Sequence, residues 1–400
     1  MAGTPGTPRL LRAINDRAAL ELLLEHGPLS RPRLGELTGL SKPTASQLLS
    51  RLEDAGLVVP TGIAGGGPGP SAVLYEVNPS AAYVGGLDVT PARIRAAVAD
   101  ITGRVVGEYE LATPRRGPHD AVAQVGAALD GALSRPGLDR DRLHRVVIGT
   151  PGAFDPTTGR LRYARHLPGW HSPHLLGELA AALGVPLEVD NDVNLAAVAE
   201  QRVGQARDSQ NFVLLWGAEG LGAAVVIGGR LHRGATGGAG EVGFLPVPGT
   251  PLVRNVSRNN AGGFQALAGA QQVLALARQH GITARTPEDA VAQALGRPGG
   301  GDVVLTEFAQ RLAVGLAAVV ALIDPELVVL AGEVILAGGE RLRALVQAEL
   351  ADLAVSRPRI VLSGVPTDQV LSGAIQSALV TTRDEVFDTA ATPAARTTTT

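Results

Sequence analysis

The stretch from Gly27 to Gly56, GPLSRPRLGELTGLSKPTASQLLSRLEDAG, leaves a folding chain few options. Twice a serine precedes a proline by two residues: Ser30 with Pro32, and Ser41 with Pro43. A serine hydroxyl can accept an orphan backbone N–H, and proline is tolerated in a helix only in its first turn. The pattern predicts one helix over Arg31–Thr38 and another running from the Ser41 cap to about Ala55. Gly56 suits the residue just past a helix end, and Gly39-Leu40 leaves room only for a tight turn. Ahead of this pair, Leu10, Leu11, Ile14, Ala18, Leu22 and Leu23 recur at helical spacing until Gly27-Pro28 stops them. Behind it, Leu57–Val59 and Ala72–Val77 flank a Gly/Pro-rich loop over Gly62–Pro70, which predicts a hairpin. The first unit, residues 1–80, therefore reads helix, helix, turn, helix, wing, with Asn78-Pro79-Ser80 as linker.

In a helix-turn-helix the second helix lies in the major groove and its first residues reach base edges. Here those residues are Ser41, Lys42, Pro43, Thr44, Ser46 and Gln47, short polar or amide groups suited to edge contacts. Lys42 and Arg51 are candidates for phosphate contacts. Ser30, Arg31 and Arg33, where the preceding helix starts, could clamp the backbone together with the helix N-terminus. Met1 to Arg51 carries seven basic residues against the acidic Asp16, Glu21, Glu25 and Glu36, whereas the whole chain has a net charge of −3. The competing reading is a small helical bundle used for dimerisation. The wing has no Arg or Lys, so insertion of a wing arginine into the minor groove is not available.

Composition narrows the rest. At 400 residues and 45% hydrophobic, the chain has enough apolar content for more than one core. It has no cysteine, which excludes disulfides, thiol nucleophiles and cysteine-ligated zinc. The N-terminus lacks the apolar core of a secretion signal, and Leu312–Ile323, the longest apolar run, is too short to span a bilayer. A cytoplasmic protein without membrane contact is expected.

From Tyr83 onward the periodicity changes. Strands are predicted over Tyr83–Val89, Ile94–Asp100, Arg104–Leu111 and Val146–Ile148, with a helix over His119–Leu133. A second strand-rich stretch, Phe212–Ile227, is followed by helices over Gly262–Gln279 and Glu307–Leu322 and a strand over Leu327–Leu330. This is an α/β pattern, most simply two lobes facing a cleft. Asp190-Asn191-Asp192 follows a short strand and precedes a helix, and Gly149–Gly152 follows a buried strand. Gly240-Glu241 adds a further carboxylate. Carboxylates and an amide at strand ends suit a polyhydroxyl ligand, although Asp/Asn-rich turns and helix caps are common in any case. His166, His171 and His174 lie close together around Trp170; a solvated loop is the plainer reading of them than a metal site.

The strings GPLSRPRLGELTGLSKPTASQLLSRLEDAGLV, LPGW, VDNDVNLAAVAE and GGRLHRGATGGAGEVGF resemble those of the ROK family of repressors and sugar kinases, from about Arg9 to about Leu379. The winged helix-turn-helix ahead of the body resembles the repressor branch. The resemblance implies a two-lobed actin-like (RNase H-type) sugar-kinase-like body over residues 81–386, with lobes of roughly 81–195 and 196–365 and a C-terminal helix returning to the first lobe. Residues 387–400 are expected to be a disordered tail. It also implies a homodimer or homotetramer, a double-stranded DNA operator and a sugar or sugar-phosphate effector. Gly152, Asn191, Asp192 and Glu241 fall where the family contacts sugar hydroxyls, and Asp192 falls where the kinases place their base.

Departures from the family pattern point away from catalysis. Kinases of the family carry Asp-x-Gly-Gly-Thr where this chain has Asp88-Val89-Thr90-Pro91-Ala92-Arg93, and Pro91 offers no N–H. Their second phosphate loop is here Gly217-Ala218-Glu219-Gly220-Leu221-Gly222, with a negative charge at Glu219. Phe244 stands where a zinc-binding His is usual, and Arg258–Gln265 replaces the cysteine segment, so neither a metal nor any other cofactor is expected. The leading expectation is a sugar-controlled repressor that is not an enzyme. The alternative is an ATP-dependent hexose kinase with an attached regulatory domain.

Overall fold

The computed structural model describes residues 8–64, 72–113, 120–155, 160–162, 167, 169–172, 174–252, 262–365 and 367–389. The chain opens with α1 (Pro8–His26), β1 (Leu29–Ser30), α2 (Arg31–Thr38), α3 (Lys42–Asp54), β2 (Val58–Ala64) and β3 (Ala72–Val77). Ser30 accepts the Arg33 N–H at 3.4 Å and Ser41 that of Thr44 at 3.5 Å, so each serine caps the helix that follows it. Gly39 turns the chain in the left-handed region, φ 70°, where a side chain would be strained. The sequence pattern did not reveal β1. It is two residues long, too short for any periodicity, and pairs Leu29 with Tyr75 to make a three-stranded sheet of order β1-β3-β2. The α1 stripe also differs from expectation. Leu10, Leu11 and Ile14 are exposed, and the buried face is Ala19, Leu20 and Leu23, packed on Leu34, Leu48, Leu49 and Leu52.

The first lobe is built from β4 (Tyr83–Val89), β5 (Arg93–Asp100), β6 (Val105–Ala112), α4 (Ala121–Ser134), β7 (Leu143–Thr150), β8 (Ala153–Asp155), β9 (Arg160–Arg162), α5 (Leu175–Leu183) and β10 (Leu187–Asn191). Its five-stranded sheet runs β10-β7-β4-β5-β6. β4, β5 and β6 form an antiparallel meander, and β7 and β10 join β4 in parallel. Next comes α6 (Asp192–Val203).

The second lobe repeats that plan. It contains β11 (Phe212–Gly217), β12 (Leu221–Ile227), β13 (Arg230–Leu231), α7 (Gly263–Ala268), α8 (Ala270–Gln279), α9 (Pro287–Leu295), α10 (Gly300–Ile323), β14 (Leu327–Ala331), α11 (Glu333–Leu336), α12 (Gly339–Leu353) and β15 (Arg359–Leu362). Its sheet order is β13-β12-β11-β14-β15, again an antiparallel meander extended by two parallel strands. The single helix expected over Gly262–Gln279 is two, broken at Gly269, where an added Cβ would lie 2.5 Å from the Gln265 carbonyl. α10 begins seven residues before the expected Glu307. Among the described residues it is the one helix long and apolar enough by composition to cross a bilayer. More than half of that stretch is buried, and Val304, Leu305, Phe308, Leu312 and Leu316 centre the lobe's core.

Between the lobes the chain passes twice, from α6 to β11 and from β15 to α13 (Gln369–Thr389). Glu200 on α6, fully buried, meets both passages. Its Oε2 accepts the N–H of Gln205 at 2.8 Å and of Gly364 at 3.3 Å. Its Oε1 accepts the Val365 N–H at 3.2 Å and the Ser363 hydroxyl.

α13 then returns across the first lobe, against α6, β4 and β7, through Ala374, Ile375, Ala378 and Leu379. It does not stop at residue 386, because 387–389 continue the helix and Phe387 is buried in the N-terminal unit's core beside Ala82 and Ile101. That burial is why the expected tail boundary is corrected there; residues 390–400 lie outside the described residues. Arg17 of α1 pairs with Asp384 and, at 3.7 Å, with Asp388.

Candidate functional site

The cleft-facing corner is made where β10 ends and α6 begins. β10 runs parallel to β7 with Asn191 opposite Thr150, which brings Asn191 beside the Gly152 turn. Asn191 caps α6, its Oδ1 accepting the Asn194 N–H at 3.1 Å. Its side-chain amide donates to the Gly152 carbonyl at 3.0 Å and to Asp192 Oδ1 at 2.9 Å. The Val193 N–H also donates to Asp192 Oδ1, at 2.8 Å. Both bonds to Asp192 fall on Oδ1, and Oδ2 takes neither.

Burial pushes the Asp192 carboxyl up to about 7, against the pull of the Val193 N–H, and the charges of Asp88 and Glu241 push the same way. Asp88, at the end of β4, is pushed up to about 6, again first by burial; Arg93 and Arg95 pull it down and Glu333 pushes it up. Burial also raises Glu241. Asp192, predicted from sequence, therefore lies within electrostatic reach of Asp88 and of Glu241, also predicted. Glu241 gets there because Gly240, φ 89°, passes so close to β12 that an added Cβ would sit 1.9 Å from the Ala223 carbonyl. Such a group of carboxylates and an amide can bind hydroxyls, and Asp192 is placed to accept a proton near neutral pH.

The two turns that stand at the family's phosphate-loop positions, one in each lobe, are closed on themselves. In the β4–β5 turn the Thr90 N–H donates to the Arg93 carbonyl at 2.9 Å, and the Arg93 N–H donates to the Thr90 hydroxyl at 3.1 Å. Pro91, between them, has no N–H. In the β11–β12 turn the Ala218 N–H donates to the Gly220 carbonyl at 3.1 Å, and the Leu221 N–H to Gln265 Oε1 at 2.8 Å. The Gln265 side-chain amide donates to the Glu219 carbonyl at 3.4 Å. The Thr90, Arg93, Ala218 and Leu221 N–H groups are therefore engaged within the protein and not turned toward a phosphate.

In the N-terminal unit, Ser41, Lys42, Pro43, Thr44, Ser46 and Gln47 are exposed on α3, while Ala45, Leu48, Leu49 and Leu52 are buried beneath them. The arginines divide differently. Arg31 lies over the Tyr75 ring, 5.2 Å from its centroid, and donates to the Tyr75 hydroxyl. Arg33 pairs with Glu36 at 3.0 Å on the surface. Arg51 is held at 2.6 Å by Asp16, which is 4% exposed, so it fastens α3 to α1. Nothing in sequence spacing marks Asp16, thirty-five residues away, as its partner.

His166 and residues 258–261 lie outside the described residues. No group of three metal-ligating side chains is placed to hold an ion among the described residues. Phe244 is half-buried. The sequence pattern did not single out Arg233, Glu333 or the clamping role of Gln265. Asp190 bonds its near neighbours Asn191 and Asn194, but its ion-pair partner Arg233 is forty-three residues away.

Comparison with known proteins agrees with this architecture. The ROK family profile matches residues 84–381, and a MarR family profile matches residues 13–67. A xylose repressor of Caldicellulosiruptor bescii is 25% identical over 340 residues, covering 81% of this chain and 84% of the relative. The crystal structure of a ROK family transcriptional regulator, described as a homologue of the Escherichia coli MLC protein, superposes with a TM-score of 0.73 at 21% identity, covering 95% of this chain and 99% of that one. A ROK hexokinase from Thermus thermophilus superposes at 0.62 with 26% identity, covering 76% of this chain and all of that one. With one family profile spanning the body from the first strand of its first sheet into its last helix, this chain belongs to the ROK family.

Proposed function

We propose that the protein is a DNA-binding transcriptional repressor whose body binds a small carbohydrate, or its phosphate, without phosphorylating it. One observation carries the reading. Asn191 bonds Asp192, and Asp192 feels the charge of Glu241, which supports a hydroxyl-binding corner, while the Thr90, Arg93, Ala218 and Leu221 N–H groups of the two phosphate-side turns are spent internally. Duplex DNA would be read by Ser41, Lys42, Thr44, Ser46 and Gln47 on the exposed face of α3, with Lys42 and Arg33 on phosphates. Two copies in a homodimer, or a tetramer, would place two such helices about one DNA turn apart or a multiple of it. A cytoplasmic location, off the membrane, belongs to the same reading and is supported by the repressor relatives.

The effector can act only by binding one arrangement of the two lobes better than the other. Xylose is the first sugar to try, because the Caldicellulosiruptor relative is named for it. The test is a mobility shift of the gene's own upstream DNA, with and without xylose, glucose, N-acetylglucosamine and their phosphates. Retardation that one of these sugars changes supports the reading; indifference of the full chain to DNA at low salt ends it. The kinase alternative rests on Asp192, which falls where the family's kinases are expected to place their base. Sugar-dependent ADP release that Asp192→Asn abolishes would establish the alternative.

A further inference from the structure

Asp190 is 8% exposed, and both of its oxygens are engaged. Oδ1 accepts the Asn191 N–H at 2.8 Å and the Asn194 side-chain amide at 3.0 Å. Oδ2 accepts Nε and Nη2 of Arg233 at 3.1 and 2.6 Å. Asp190 belongs to β10 of the first lobe, and Arg233 follows β13 of the second. The ion pair therefore joins the lobes, next to the residues assigned to the sugar.

Arg233 also anchors the segment that leads to Glu241. Its carbonyl accepts the Ala239 N–H at 3.2 Å, and the Gly240 carbonyl in turn accepts the Ala223 N–H at 2.8 Å. A guanidinium offers a rigid fork of donors, and here two of them share one carboxylate oxygen, so the partner is fixed in direction as well as distance. Without it Asp190 Oδ2 would face a mostly dry site unpaired, and the carboxylate would turn away to find water, taking its bonds to Asn191 and Asn194 with it.

We propose that Arg233 is a positioning residue of the effector site: acting through Asp190, it holds the Asn191–Asp192 corner and the Glu241 segment in one mutual geometry. The proposal rests on the reading of the cleft as a sugar site. The experiment separates the two.

Full-length Arg233→Gln, Arg233→Lys and Asp190→Asn would be compared with the parent chain by hydrogen exchange, resolved to peptides covering 188–195 and 234–243. Calorimetric titration with xylose, glucose and N-acetylglucosamine would follow on the same samples. In Arg233→Gln, exchange in both segments should rise at least tenfold while the core helix α10 stays as in the parent. Whichever probe sugar binds the parent should bind the variant at least tenfold more weakly. Arg233→Lys, which keeps the charge but loses the fork, should recover part of both effects.

Exchange within twofold of the parent in both segments would overturn the proposal. So would acceleration spread evenly through the second lobe, which marks a pair that merely stabilises the fold. If exchange responds as expected and none of the three sugars binds the parent, the positioning role stands and the sugar reading is what fails.

Discussion

At the scale of single residues, the same side-chain type does opposite work depending on what lies beneath it. Arg51 and Lys42 both look like phosphate contacts in the sequence, but Arg51 covers the nearly buried Asp16 while Lys42 is exposed at the start of α3. Arg51→Ala is expected to cost about 2 kcal/mol of stability in the N-terminal unit, seen as a lower first melting transition, because Asp16 loses its partner. Lys42→Ala should leave melting unchanged, weaken operator binding, and reduce the salt slope of log K by about 1 in a filter-binding titration.

Asp192 gives a pH signature. Its native carboxyl keeps a proton up to about 7, whereas in the unfolded chain it loses it near 3.8, so native stability falls as pH rises from 4 to 7. Asp192→Asn should therefore raise the melting temperature more at pH 8 than at pH 4. The gain at pH 8 should be about 2 kcal/mol, below the dry-site value for such a shift because the residue keeps some surface open to water. The Asx-rich corner was legible because its bonds run between neighbours in sequence. Arg233, forty-three residues from Asp190, carried no comparable signal.

At the scale of elements, the helix starts were readable and several ends and breaks were not. Ser30 and Ser41 announce α2 and α3 through capping, a local interaction. The break between α7 and α8 falls at Gly269, whose extended backbone ends one helix and starts the next, a local kink that periodicity does not show, and the early start of α10 goes with its packing in the second-lobe core, a tertiary effect. α13 is the plainest case. Nothing local in its sequence shows that Phe387 completes the core of a unit that starts at residue 8. Phe387→Ala is expected to destabilise that unit by about 3 kcal/mol and to lower its melting transition ahead of the body's, as followed by calorimetry of the full chain. A fragment of residues 1–80 lacks Phe387 and Ile101 and should melt below the same unit in the intact protein.

At the scale of the whole molecule, each lobe is an antiparallel meander extended by two parallel strands, and the two copies of that plan are joined by α6, α13 and the two passages between them. The sequence shows two α/β stretches; it does not show that a single buried carboxylate, Glu200, accepts N–H groups from both passages. With Glu200 as an axle and the Asp190–Arg233 pair as a second tie between the lobes, the body is better able to turn than to slide or come apart. Whatever the cleft reports must then leave it as an angle. The twenty-one residues of α13 start beside the axle and extend roughly 30 Å, so a tilt of about five degrees would carry the far end some ~3 Å, a shift felt directly where Asp384, Phe387 and Asp388 grip the DNA-facing unit.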